Sequence, residues 1–259
     1  MLKAGIFLDM ENLTRNGGWG MRLDAVKQLV QSQGCVILRA NAYMAINVKK
    51  ERLDSEFREK AQAYRDSVRA AGFHIIDKEV RYFTNEDGTE TAKANADLDM
   101  AVDTILQSEN LDYILLGTGD GDFLRLIRAL QNKGKRVDAL AFNNVSNELK
   151  REVDHYFPGT IVPTILPIKN NERRNRLRGM LTAVNPEKGF GFLTTRTGFG
   201  VADIESIFCH ISQVTENDQY ISNDRFAELG KYGAILEFEK NYSLKGPSAV
   251  NATVFQASS

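Results

Sequence analysis

The sequence predicts two domains of different class: an α/β domain with a parallel sheet covered by helices on both faces, then a small all-β barrel. Three observations carry this. Up to about residue 165, short apolar runs alternate with helical stretches, the pattern of repeated strand–helix–strand units. Gly34, Gly72 and Gly134 each stand just before the next apolar run, where a helix C-cap is expected. Beyond Pro158, Pro163 and Pro167 the texture changes to short strands with turn residues between them, as a Greek-key barrel requires.

The expected strands of the first domain are Ala4–Asp9, Val36–Met44, Phe73–Lys78, Tyr113–Gly117, Val137–Phe142 and Thr160–Ile165. Between them lie expected helices at Leu23–Ser32, Leu53–Ala71, Asp97–Gln107, Phe123–Asn132 and Val145–Val153. Arg81–Glu90 reads as a β-hairpin or mobile loop. Its Asn85-Glu86-Asp87-Gly88 centre lacks the ligand spacing of a calcium loop. In the second part the expected strands are Leu177–Val184, Gly189–Thr194, Ile204–Ile211, Ala234–Asn241 and Ala249–Phe255, with one helix at Asp224–Leu229. The domains are therefore placed at 1–166 and 177–259. A basic linker at 167–176 holds Arg173, Arg174 and Arg176 against a single Glu172.

Net charge says nothing about a nucleic-acid partner, because Lys plus Arg (33) balances Asp plus Glu (34). Distribution says more, with acids gathered at strand tips and bases in the linker. Cys35 and Cys209 fit no zinc or disulfide spacing. The sequence runs from Met1 straight into a strand and has no long apolar segment. A cytoplasmic protein with no membrane contact is expected.

Three segments supply acids: Asp9 in Phe7-Leu8-Asp9-Met10-Glu11-Asn12, Asp97-Leu98-Asp99 with Asp103 behind it, and Asp120 with Asp122 in Gly119-Asp120-Gly121-Asp122. Asp9 and Asp120 follow apolar runs, so both emerge at carboxyl strand tips, where open α/β sheets bind ligands. Carboxylates converging there repel one another unless a hard divalent cation lies among them, which points to Mg²⁺ or Mn²⁺. Phosphodiester hydrolysis of the two-metal kind uses cations roughly 3.5–4 Å apart and little other side-chain chemistry. The expected metal ligands are Asp9, Asp97, Asp120 and Asp122. Asn12, one turn after Asp9, is placed to orient a water or a phosphate, and Asp103 supports from further along its helix. Taken singly, Asp97 and Asp122 read equally as helix caps and Asp9 as a turn acid. Their joint occurrence in one α/β unit favours the metal site. A dinucleotide fingerprint is excluded because Asp122 stands where its third glycine is needed. Asp9-Met10-Glu11 departs from the Asp-x-Asp of aspartyl-phosphate phosphatases, and His74 and His155 read as structural.

These residues resemble the NYN family of PIN-like ribonucleases, of the LabA type. The resemblance rests on Phe7 to Asn12, on Lys93 four residues before Asp97, on Ala101-Val102-Asp103, and on Gly119-Asp120-Gly121-Asp122-Phe123. It implies a PIN-like fold, Mg²⁺ or Mn²⁺, and RNA cleavage, with Lys93 on a phosphate. Asn95-Ala96 departs from the Gly-Val pair usual before the acidic helix.

The second constellation is Lys188-Gly189-Phe190-Gly191-Phe192 followed by Ile207-Phe208-Cys209-His210-Ile211. Strand alternation puts Phe190 and Phe192 on one face, with Phe208 and His210 repeating that pattern on a neighbouring strand. Four flat side chains then form a platform on which unpaired bases stack, each worth roughly 1–3 kcal/mol. The alternative is that the phenylalanines fill the barrel core. Lys188, Arg174 and Arg176 supply phosphate attraction. This part resembles a cold-shock domain of the oligonucleotide-binding (OB) type. It departs from that family at Ala183, where a tryptophan is usual, and at Ile211, where a phenylalanine is usual.

The expectation is a Mg²⁺- or Mn²⁺-dependent endonuclease acting on single-stranded RNA held by the barrel. A non-catalytic RNA-binding regulator is the alternative, and a small-molecule phosphohydrolase a third reading.

Overall fold

The first strand, β1 (Leu2–Asp9), is buried from Ala4 to Asp9, as a central strand covered on both faces must be. A computed structural model describes residues 1–84, 90–93, 96–168, 176–244 and 246–256, with backbone alone for 81–84, 90–93 and 243. After β1 the chain continues through α1 (Met10–Leu13), a π-type turn over Thr14–Gly18, α2 (Leu23–Gln31), β2 (Cys35–Ile46), α3 (Val48–Leu53), α4 (Ser55–Ala70) and β3 (His74–Glu79). Next come β4 (Arg81–Thr84), β5 (Glu90–Lys93), α5 (Asp97–Gln107), β6 (Tyr113–Gly117), α6 (Leu124–Asn132), β7 (Arg136–Ala141), α7 (Asn147–Glu152) and β8 (His155–Pro158).

The large sheet has the order β3-β2-β1-β6-β7-β8. β1 pairs in parallel with both β2 and β6, so the strand order reverses there and leaves a crevice beyond the carboxyl ends of β1 and β6. Leu8 lies opposite Gly117, and a side chain at 117 would collide with Leu8, so this close approach requires glycine. Phe7, Ile114, Leu116, Ile127, Leu130 and Val137 share one buried cluster with Met100 of α5. The helices reach the sheet because their apolar residues recur on one face.

The expected strand Thr160–Ile165 is instead a series of turns, and the sixth strand is His155–Pro158. Pro163 explains this, since its missing N–H cannot serve a ladder. The expected helix Leu53–Ala71 is broken at Asp54, whose carboxylate accepts from the Phe57 N–H at 2.9 Å and caps α4. β4 and β5 pair antiparallel as a hairpin, and its Asn85–Gly88 centre lies outside the described residues.

The barrel consists of β9 (Arg176–Asn185), β10 (Phe190–Arg196), β11 (Ile204–His210), β12 (Val214–Glu216), β13 (Gln219–Tyr220), α8 (Asn223–Lys231), β14 (Ile235–Ser243) and β15 (Gly246–Val254). Its order β11-β10-β9-β14-β15 closes through a β11–β15 pairing, giving the five-stranded OB architecture. Leu181, Leu193, Ile207, Cys209, Leu236 and Phe238 fill the interior together with Phe226 and Leu229 of α8.

The chain divides into two compact units, Met1–Trp19 with Leu23–Phe157, and Gly20–Arg22 with Pro158–Ser259. The boundary expected at 166 therefore falls inside the second unit. No helix among the described residues is long and apolar enough to cross a membrane.

Candidate active site and nucleic-acid surface

Asp9 ends β1, and its carboxylate accepts from the Asn12 N–H at 2.9 Å, which turns the chain into α1. Only 8% of Asp9 is exposed. Burial pushes its pKa up to about 6, the Asn12 N–H pulls the other way, and the carboxylates of Asp97, Glu11 and Asp120 add to the rise. The Asn12 amide oxygen is engaged within the site. That oxygen accepts from the Gly119 N–H at 2.9 Å and ties the turn after β1 to the turn after β6. The bond makes Asn12 a strut between the two turns.

Asp120 accepts from the Asp122 N–H at 2.9 Å and caps the short 3-10 turn Gly121–Phe123 that leads into α6. The capping residue is thus Asp120, while Asp122 is exposed. Asp97 opens α5 but does not cap it; Ala96 holds the cap position and has no side chain to offer. Asp97 is raised by burial first, then by Asp120, Asp122 and Glu11. Four expected acids from three elements therefore share one field at the crevice. Glu11 joins them and was not anticipated as a site residue, although its place two residues after a strand-tip acid is the signal for it. Among the described residues, no three acidic, His or Cys side chains stand close enough to hold a metal ion together.

Asp103 lies apart from this group. Its Oδ2 accepts from the Tyr43 hydroxyl at 3.1 Å, and the Asn41 amide nitrogen reaches Gln107 Oε1 at 3.1 Å beside it. Asp99 pairs with Lys78 at 2.5 Å. Asp103 and Asp99, four residues apart, pin α5 to β2 and β3, so Asp103 positions the helix and is not a member of the acidic rim.

In the barrel, Phe192 lies directly opposite Phe208, and Phe190 opposite His210. Their alternate neighbours Leu193, Ile207 and Cys209 are fully buried. The phenylalanines therefore face outward, and the alternative that they fill the core is wrong. The ring centroids of Phe190, Phe192 and Phe208 are 5.7–6.0 Å apart. Phe208 is 38% exposed. His210 Nδ1 lies 2.7 Å from Ser212 Oγ, which fixes the ring beside them. Gly189 holds φ +63°, a left-handed value that favours glycine and turns exposed Lys188 toward this end of β10. Ala183, at the usual tryptophan position, has φ 45° beside a register shift in the β9–β10 pairing.

Arg176 is not a phosphate contact. It is 7% exposed and donates to the Asn251 and Glu237 carbonyl oxygens and to Thr253 Oγ1. Its neighbour by alternation, Arg178, is likewise held, by Glu237 and the Leu166 and Pro167 carbonyl oxygens. Arg174 and the Lys93 side chain lie outside the described residues.

Residues 3–163 match the NYN domain family. The low amplitude and bright protein LabA of Synechococcus elongatus is 24% identical over 160 residues, 60% of this chain and 82% of that protein. The cold shock-like protein CspJ of Salmonella typhi is 33% identical over 76 residues, 29% of this chain and 90% of its own. CspI of Escherichia coli K12 is 34% identical over 77 residues, 30% of this chain and 91% of its own. A crystal structure of a protein of unknown function from Vibrio parahaemolyticus superposes with a TM-score of 0.50 at 23% identity, covering 64% of this chain and 96% of that one, and shares the fold. The chain belongs to the NYN domain family and carries a cold-shock-like barrel behind that domain.

Proposed function

We propose that this protein is a divalent-cation-dependent endoribonuclease whose barrel holds single-stranded RNA while the acidic crevice hydrolyses it. The observation that supports this most is the burial of Asp9 beside Asp97 and Asp120 at the switch point, where burial first and the neighbouring carboxylates after it push Asp9 up to about 6. A buried carboxylate among others is costly without a counter-charge, and oxygen-only donors suit Mg²⁺ or Mn²⁺. Mg²⁺ commonly uses one or two carboxylates and keeps several waters, so the residues fit such an ion although no three of them stand together. When bound, it would polarise the phosphate and lower the pKa of a water for attack on phosphorus.

The protein's own part is positioning. Asp9, Asp97, Asp120 and Asp122 are the residues that would hold the cation, one or two directly and the others through its bound waters. Asn12 keeps the two acidic turns at fixed separation through Gly119. The Phe190, Phe192 and Phe208 faces would hold bases by stacking, and Lys188 would attract phosphate.

The separation of the acids in the structure also supports a second reading, a non-catalytic RNA-binding regulator. Single-turnover incubation with end-labelled single-stranded RNA, with Mn²⁺ and with chelator, separates the two. The nuclease reading expects internal cleavage with Mn²⁺, none with chelator, and loss of cleavage in Asp120→Asn. Equal cleavage by that variant, or none by the wild type, removes it. Turnover of nucleoside monophosphates with no response to strand length would favour the phosphohydrolase.

A further inference from the structure

Trp19 is the single tryptophan of the chain, and it is 59% exposed. Its ring nonetheless has a fixed place, stacked on Tyr64 of α4 with centroids 5.6 Å apart and planes at 28°. Tyr64 lies beneath, its hydroxyl pushed up to about 12 by burial. The outer face of a large aromatic is thus offered to solvent on a rigid support. A core does not need this arrangement, and a ring held with one face to solvent on a second aromatic is ready to stack a further flat group.

The surroundings carry the same chemistry. Phe57 lies two helical turns before Tyr64 and so shares its side of α4, and the Lys50 ammonium sits 4.2 Å over the Phe57 ring. Lys60, one turn before Tyr64 on that side, is exposed and pairs with Glu56 at 2.5 Å. α3, which carries Lys49, Lys50 and Arg52, starts directly after the carboxyl end of β2. It therefore stands on the same rim of the sheet as Asp9, which lies opposite Tyr43 of that strand. Trp19 follows Asp9 through α1 and a π-type turn that is non-helical at Asn16 and Gly17. Asn16 donates to the Asn12 carbonyl oxygen and accepts from the Asn143 N–H just beyond β7, which holds the turn on that same rim. Cations interleaved with aromatic faces beside a phosphodiester site are what a single nucleic-acid strand requires.

We propose that Trp19, backed by Tyr64 and flanked by Lys50 and Phe57, is a second base-stacking subsite, on the nuclease domain itself, that seats a nucleotide next to the acidic crevice. It rests on the reading that the protein binds single-stranded RNA, and it adds a contact that the barrel does not make. A base stacked on Trp19 would fix the phosphates a few nucleotides along the strand relative to Asp9. That is the alignment hydrolysis needs.

The lone tryptophan makes the test direct. Full-length protein in chelator is titrated with a labelled oligouridylate, following label anisotropy and tryptophan emission together. The expected result is quenching of Trp19 that saturates with the anisotropy rise. Trp19→Ala should weaken binding by about 5- to 150-fold, the range for one lost stacked base. Trp19→Phe should restore most of that loss. An anisotropy rise with unchanged emission and wild-type affinity in Trp19→Ala overturns the subsite and leaves RNA binding by the barrel standing. No anisotropy change in the wild type overturns both. Emission that shifts with protein concentration alone, without RNA, assigns Trp19 to a protein contact and also overturns the subsite.

Discussion

Asp9 contributes free energy in opposite senses with and without a cation. Its pKa in the folded chain, about 6, lies above the ordinary 3.8, so folding favours the protonated acid. That contribution is fully present below the ordinary value and is lost as pH rises through about 6. Metal-free wild type should gain stability over Asp9→Asn as pH is lowered from 7 to 4, by at most about 3 kcal/mol. Denaturant melts in chelator at several pH values measure the difference, and a difference independent of pH would contradict the burial of this carboxylate. Protons compete with the cation for the same oxygen atoms, so Mn²⁺ affinity should fall below pH about 6.

Arg176 yields a prediction of the opposite kind. Itself buried, it satisfies two carbonyl oxygens and a threonine hydroxyl. Arg176→Ala should therefore destabilise the barrel, by about 1–3 kcal/mol, and leave RNA affinity unchanged where the barrel is folded. Weaker RNA binding with an unchanged melt would return it to the phosphate contacts. Its burial was not legible in the sequence, where an Arg beside four other bases reads as a solvated run. Only the β9–β14 pairing, which sets Arg176 opposite Glu239, turns it inward.

At the level of elements, α5 is held by two carboxylates so that a third can face the crevice. Tyr43→Phe removes the donor to Asp103 and leaves a part-buried carboxylate without it, at a cost of about 1–3 kcal/mol. Cleavage should slow while Mn²⁺ still binds, because Asp97 keeps its oxygen atoms and loses only its alignment. Abolished Mn²⁺ binding would place Asp103 in the rim instead. In the barrel, Phe192→Ala should weaken single-strand binding by about 1–3 kcal/mol with little change in stability, since the ring faces outward. A large loss of stability would mean that it packs inside.

Much of this level was readable in advance. Tyr113–Gly117 and Asp97–Gln107 fall as the apolar periodicity indicates, because each is bounded by its own stop signal. Helix α1, four residues long, has no period to read. The role of Asn12 was hidden because its partner Gly119 is 107 positions away, and no local pattern links them.

For the whole molecule, the proposed division of labour separates holding from cutting. A tethered barrel raises the effective concentration of strand at the crevice without new contacts there. Removing Phe192 and Phe208 should therefore raise KM on long single-stranded RNA and leave kcat nearly unchanged. On oligonucleotides too short to reach both domains, the same variants should behave as wild type. A fall in kcat on short substrates would mean that the barrel takes part in the chemistry. The convergence of the acids on one rim could be anticipated, since strand tips of a parallel sheet share an end. Their remaining separation could not, because it depends on side-chain conformations that residue types do not fix.

The central claim is that Asp9, Asp97 and Asp120 act together on a divalent cation, and calorimetric titration of Mn²⁺ into the metal-free full-length protein tests it most directly. Saturable binding by the wild type, lost in both Asp9→Asn and Asp120→Asn with the fold intact, is the expected result. Absence of binding to the wild type, or equal binding by the variants, would contradict it.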